Sequence, residues 1–161
     1  MARGSMTGSG GDWVPAWQPR VAAGVTALAL VAVALGAPAW VLAPLALDMA
    51  ARALDRREWS WLGRLAGRVA PRVLPAAART ARSYWPPKRF ASRLGLAMLV
   101  AILLADAAGL PALVGALSLA MATLCGLEAA FGLCVACRLY TAFGRLGWVS
   151  ACPDGRCTLP R

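Results

Sequence analysis

The sequence predicts an all-α polytopic membrane protein: four transmembrane helices in two parallel-repeat hairpins, with an interfacial amphipathic helix between them. Three observations predict it. Sixty percent of the 161 residues are hydrophobic, and the mean hydropathy is +0.61, more than a soluble domain carries. Two apolar blocks, from Val21 to Leu54 and from Leu94 to Phe131, are each too long for one span of about 20 residues. Each is broken by an uncharged turn, Gly36-Ala37-Pro38 or Gly109-Leu110-Pro111. In such a turn the Gly ends one helix and the Pro opens the next.

In chain order, residues 1–17 form a Gly- and Ser-rich flexible leader, and residues 18–54 the first hairpin. Ala37-Pro38-Ala39 loosely matches a small-residue cleavage site, but apolar sequence resumes at Trp40, so a turn is the simpler account. Residues 55–89 form a basic link. Within it Trp59, Trp61, Leu62, Leu65, Val69 and Val73 fall on one helical face and Arg64, Arg68 and Arg72 on another, as in a helix lying in a membrane interface. Pro71, Pro75, Pro86 and Pro87 then interrupt regularity, and the third span is expected from Phe90. The second hairpin occupies 90–132 and a cysteine-containing tail 133–161. A gap-free shift of 73 residues places Arg20 on Arg93, Gly36 on Gly109, Pro38 on Pro111 and Leu54 on Leu127, which points to a parallel repeat.

The net charge of +10 gathers between the apolar runs rather than across a folded face. It therefore marks topology and not nucleic acid. Positive-inside puts the link in the cytoplasm of a bacterial inner membrane, and an even number of spans puts both termini there too. Polar groups inside the spans are few, and oligomerisation is one way to supply more. Asp48 falls near the bilayer midplane with Arg52 one turn on. It reads equally as a proton or substrate site and as half of a packing ion pair.

Chemistry concentrates at Cys134 and Cys137, where the last apolar run meets the tail. A Cys-x-x-Cys can exchange electrons, carry sulfur or bind metal. If Gly132 ends the fourth span and a new helix starts near Leu133, the helix dipole activates Cys134; a helix running straight through to Tyr140 would disfavour its thiolate. Cys134 is then the attacking thiol and Cys137 the resolving one. Glu128, one turn after Cys125, is a candidate proton acceptor or local cap. With Cys152 and Cys157 the spacing becomes Cys-x2-Cys-x14-Cys-x4-Cys, which also permits a tetrathiolate zinc site. Otherwise no cofactor is called for. The chain contains no His, Gly-rich phosphate loop or Ser nucleophile motif, so hydrolase, kinase and haem readings have no footing.

Pro86-Pro87-Lys88-Arg89-Phe90-Ala91, the Leu-Asp-Met-Ala-Ala-Arg-Ala stretch around Asp48, and Leu127-Glu128-x-x-Phe131-Gly132-x-Cys134-x-x-Cys137-x-x-Tyr140 closely resemble the bacterial membrane family known as domain of unknown function 4395. The resemblance runs from about Trp17 to Leu146. It carries no established activity. It implies only a neighbourhood of thioredoxin-like and sulfurtransferase proteins as partners, and it covers Cys134, Cys137, Glu128 and Asp48 but not Cys152 or Cys157.

Overall fold

The computed structural model describes residues 13–73, 82–145 and 158–159. The described chain is helical apart from three short strands. β1 (Trp13–Pro15) leads into α1 (Trp17–Ala34), a 3-10 turn (Ala39–Leu42) and α2 (Ala43–Ala53). A second 3-10 turn (Arg57–Trp59) and α3 (Trp61–Val73) make up the described link. Then follow β2 (Arg82–Tyr84), α4 (Trp85–Ala107), α5 (Pro111–Phe131), α6 (Val135–Arg145) and β3 (Thr158–Leu159).

Three helices, α1, α4 and α5, are long and apolar enough to cross a membrane. Their apolar side chains face outward as well as inward: Leu28 is 74% exposed and Leu104 64%. Such surface suits lipid, since water would penalise it and acyl chains do not. Within each helix the backbone groups away from its ends bond to one another, as a hydrocarbon solvent demands.

The expected fourth span is where the structure departs from the sequence reading. The arm after Gly36 is one 3-10 turn plus the 11-residue α2, about 25 Å in all, short of a core of about 30 Å. Its inner part is taken by the link. Ser60 and Leu62 turn back to Asp48, and Trp61 Nε1 donates to the Pro44 carbonyl at 3.1 Å. α3 therefore begins beside the middle of α2 rather than beyond its end.

Both Gly turns form as expected. Gly36 has φ +105° and Gly109 φ +69°, a left-handed conformation that costs glycine nothing. The two halves of the chain meet at the opposite end of the bundle. Arg20, at the start of α1, donates to the carbonyls of Ala129 and Ala130 at the end of α5, at 3.2 and 2.8 Å. Arg89 and Arg93, in the first turns of α4, donate to the carbonyl of Ala53 at the end of α2. The starts of α1 and α4 thus lie with the ends of α2 and α5, and both Gly turns lie at the far end.

Between the helices, Leu30, Leu42, Leu99 and Ile102 are fully buried. Small residues bring α1 and α5 close; a Cβ on Gly24 would stand 3.6 Å from the Ala129 Cβ. β2 is the middle strand of a three-stranded antiparallel sheet, pairing with β1 through Val14 and Ser83 and with β3 through Ser83 and Thr158. The sheet joins the segments that lead into α1 and α4.

Two local expectations shift. α4 starts at Trp85, a turn earlier than Phe90, because Pro86 and Pro87 occupy the first turn, where their missing N–H groups cost no bond. The apolar face of α3 is narrower than its hydropathy implies. Leu62 and Ala66 are buried, whereas Trp59, Trp61 and Leu65 are exposed.

Candidate functional site

Gly132 ends α5 in the left-handed conformation, φ +69°. Its N–H donates to the Glu128 carbonyl at 2.9 Å and that of Leu133 to the Leu127 carbonyl at 3.3 Å, closing the helix end. The chain then turns sharply and α6 starts at Val135. This is the interrupted arrangement, and it puts Cys134 immediately before the first turn of α6. The Cys137 N–H donates to the Cys134 sulfur at 3.4 Å, so the sulfur occupies the acceptor position that a capping side chain takes. α6 is held against α4 by aromatic packing: the Phe90 ring lies 5.8 Å from Tyr140 and 6.5 Å from Phe143.

The two thiols are unequal. Cys134 is buried, Cys137 half-buried, and both are free. The Cys134 thiol is held below its ordinary range, first by the hydrogen bond from Cys137 and then by the Lys88 ammonium; burial and the Glu128 carboxylate work against this. Cys137 is pushed up, first because its proton serves Cys134 and then by burial. The two thiols are thus shifted in opposite directions.

Glu128 lies in this corner, near Cys125, and both line the cavity among the helices. Its carboxylate pairs with Lys88 Nζ from α4, and both side chains are nearly buried. Lys88, which sequence reasoning passed over as a site residue, is the cation paired with Glu128. The only sequence trace of the pair is that Lys88 and Glu128 both sit in the segments that carry the family resemblance.

Asp48 and Arg52 lie elsewhere, between α2 and the start of α3. Asp48 is 1% exposed. Its carboxylate accepts from Arg52, from the Ser60 hydroxyl at 2.8 Å and from the Leu62 N–H at 3.0 Å. Ser60 Oγ in turn accepts from the Gly63 N–H at 3.1 Å, so one carboxylate and one hydroxyl together cap α3. The ion pair was legible from the spacing of four; the capping role was not.

Two cavities meet at Cys134. The first, about 260 Å³, is lined by Ser83, Tyr84, Lys88, Gly132, Cys134, Cys137, Arg138 and Thr141. Its lining contains two cations, Lys88 and Arg138, and no carboxylate. The second lies on the other side, among the helices.

The four-cysteine metal reading depends on Cys152 and Cys157, which lie outside the described residues. Among the described residues no group of three or more His, Cys, Asp or Glu side chains converges to hold an ion.

Compared with known proteins, residues 14–145 match the family model described as a domain of unknown function (DUF4395). No curated protein and no solved structure matches the chain.

Proposed function

This chain belongs to the DUF4395 family, and we propose that within it the protein works as a membrane-embedded dithiol centre. Cys134 and Cys137 exchange a disulfide, or carry sulfane sulfur, with a soluble thioredoxin-like or sulfurtransferase partner. The observation that carries this reading is Cys134 in the capping position of α6, with Cys137 N–H on its sulfur and Lys88 lining the same cavity.

The exchange balances without a cofactor. The Cys134 thiolate attacks one sulfur of a partner disulfide, an S–S bond to the partner forms, and the partner's other sulfur leaves as thiolate. The Cys137 thiol then loses its proton and attacks Cys134, releasing the partner's second thiolate and closing Cys134–Cys137. The reverse, in which a partner thiolate opens that disulfide at Cys134, passes through the same mixed disulfide.

In the membrane, α1, α4 and α5 span, and the short arm of α2 with its preceding turn, continued by the start of α3, fills the place of a fourth. Arg20, Arg52, Lys88, Arg89 and Arg93 all belong to the bundle end that carries the cysteines. Positive-inside makes that end cytoplasmic and both termini with it. Exposed Trp59 and Trp61 then fall at the interface, where indole rings favour the headgroup level.

Thiol trapping tests the function. In Cys137→Ser the mixed disulfide with a soluble thioredoxin-like protein is trapped at Cys134, and mass spectrometry identifies it. If Cys134 proves as inert as Cys125 and forms no mixed disulfide, the reading is wrong.

A further inference from the structure

The first cavity, about 260 Å³, lies where the start of α6 meets β2 and the first turn of α4. Lys88 and Arg138 line it, while Glu128 and Asp55, two carboxylates of this end of the bundle, are engaged elsewhere. Glu128 pairs with Lys88 and lines the second cavity, not the first. Asp55 accepts from Trp85 Nε1 at 2.7 Å and pairs with Arg89 at 3.7 Å. Arg138 has no carboxylate partner among the described residues. The 11-residue α6 adds the positive end of its dipole beside Cys134.

A buried hydroxyl makes the same demand. Ser83 is 3% exposed, yet it lines the cavity, and its hydroxyl has no partner among the described residues. Unlike Ser118 Oγ and Arg52 Nε, which are sealed without a partner, Ser83 Oγ keeps accessible surface. Val14, its cross-strand neighbour on β1, is buried as well, so this face of the sheet is the inner one. Buried hydroxyls ordinarily find a partner. Thr141, on the same wall, has one, donating to the Cys137 carbonyl at 2.9 Å. An anionic oxygen in the cavity would supply what Ser83 and both cations lack.

Resting on the dithiol reading, we propose that this cavity is a subsite for the acid group of a small sulfur reactant, a low-molecular-weight disulfide that carries a carboxylate or sulfonate. Its acid oxygens take the Ser83 hydroxyl and the Lys88 and Arg138 cations, and its sulfur meets Cys134. The volume is below that of the usual ligand cleft of about 300 Å³ and upward, which fits a compact molecule. The Cys134 thiolate attacks, one S–S bond breaks as another forms, and one acid-bearing half leaves as thiolate. Cys137 then loses its proton and attacks Cys134, releasing the second half as thiolate and closing Cys134–Cys137. One small disulfide thus becomes two thiols for each pair oxidised.

The test uses the full chain in phosphatidylcholine nanodiscs, reduced and freed of reductant under nitrogen. It is mixed with dithiodipropionate, a dianionic disulfide, or with cystamine, a dicationic one of similar size, and mass spectrometry follows closure of Cys134–Cys137. Each rate is divided by that of the same reagent with dithiothreitol, a neutral dithiol. The anionic reagent is expected to be favoured about tenfold or more, as charge focusing in a cleft provides, and less so at high salt. Arg138→Gln and Ser83→Ala should each reduce that ratio, whereas a change that only loosened the sheet or α6 would alter both rates together. If both reagents close the disulfide with no anionic preference, or the preference survives in both variants, the subsite is overturned and the dithiol reading stands. Glycerol phosphate blocking the reaction where propionate at equal ionic strength does not would assign the cavity to a lipid headgroup and overturn it too. If neither reagent nor a soluble protein disulfide closes the pair, the dithiol reading falls and the subsite with it.

Discussion

Arg20, near the start of α1, and Arg93, near the start of α4, each donate to carbonyls at the end of a helix in the other half of the chain: Arg20 to Ala129 and Ala130 of α5, Arg93 to Ala53 of α2. The last carbonyls of a helix have no partner within it and carry the negative end of its dipole. Each half of the chain therefore closes a helix of the other. A single hairpin would keep its last carbonyls unpaired.

Removing either guanidinium is expected to cost about 1 kcal/mol, because a charged donor is lost from a site that water reaches. Arg20→Ala and Arg93→Ala should each lower the denaturation midpoint in detergent. Because Arg89 also donates to Ala53, Arg93→Ala should be the milder. Equal or reversed effects would contradict the exchange.

The charges around Cys134 predict opposite shifts from two neighbours. Lys88 favours the thiolate and Glu128 opposes it. The alkylation rate of Cys134 should rise with pH through an inflection below the ordinary thiol value of about 8.5. Lys88→Met should move that inflection up and Glu128→Gln should move it down, since losing a cation destabilises thiolate and losing an anion stabilises it. Cys137 should stay unreactive across this window, because its pKa is raised. Iodoacetamide labelling followed by peptide mass spectrometry reads all three.

Gly132→Ala forces an L-residue to φ +69°. The added Cβ would meet the Arg20 guanidinium only at ordinary contact, 3.7 Å, so the cost is backbone strain of about 1 to 2 kcal/mol. Relieving it by continuing α5 would take Cys134 out of its capping position. A higher alkylation inflection at Cys134, together with lower stability, is the expected signature; stability loss alone would mean the turn does not tune the thiol.

Asp48→Asn leaves Arg52 buried without a counter-charge and weakens the cap of α3. A broken buried pair costs about 3 to 5 kcal/mol. Hydrogen exchange should rise first at Leu62 and Gly63, whose N–H groups depend on Asp48 and Ser60. Protection unchanged at those two amides would refute the capping role.

The turns were legible because only a few residues can make them: Gly36, Gly109 and Gly132 all take positive φ, and Gly or Pro in an apolar run has few other uses. The Asp48–Arg52 pair was legible because helical spacing is local. What escaped is set by tertiary packing. Hydropathy continues unbroken through the second arm and gives no sign that Ser60 and Leu62 turn back to Asp48. Lys88 meets Glu128 from 40 residues away, and strands of three residues such as β1 and β2 carry no period from which to predict them. The exposure of Trp61 and Leu65, against the burial of Leu62 and Ala66, depends on where α1 lies and not on the amphipathic pattern alone.

β2 supplies Ser83 and Tyr84 to the wall of the first cavity, and both of its edges are paired, one with β1 and one with β3. Both partners are about seventy residues away in the chain. Pairings of such long range form only after the intervening chain has collapsed. On a ribosome, Val14 must wait for Ser83, and Ser83 for Thr158. The chamber around Cys134 is therefore among the last parts of the molecule to assemble, and its thiols pass through synthesis unshielded in whatever redox environment surrounds the nascent chain.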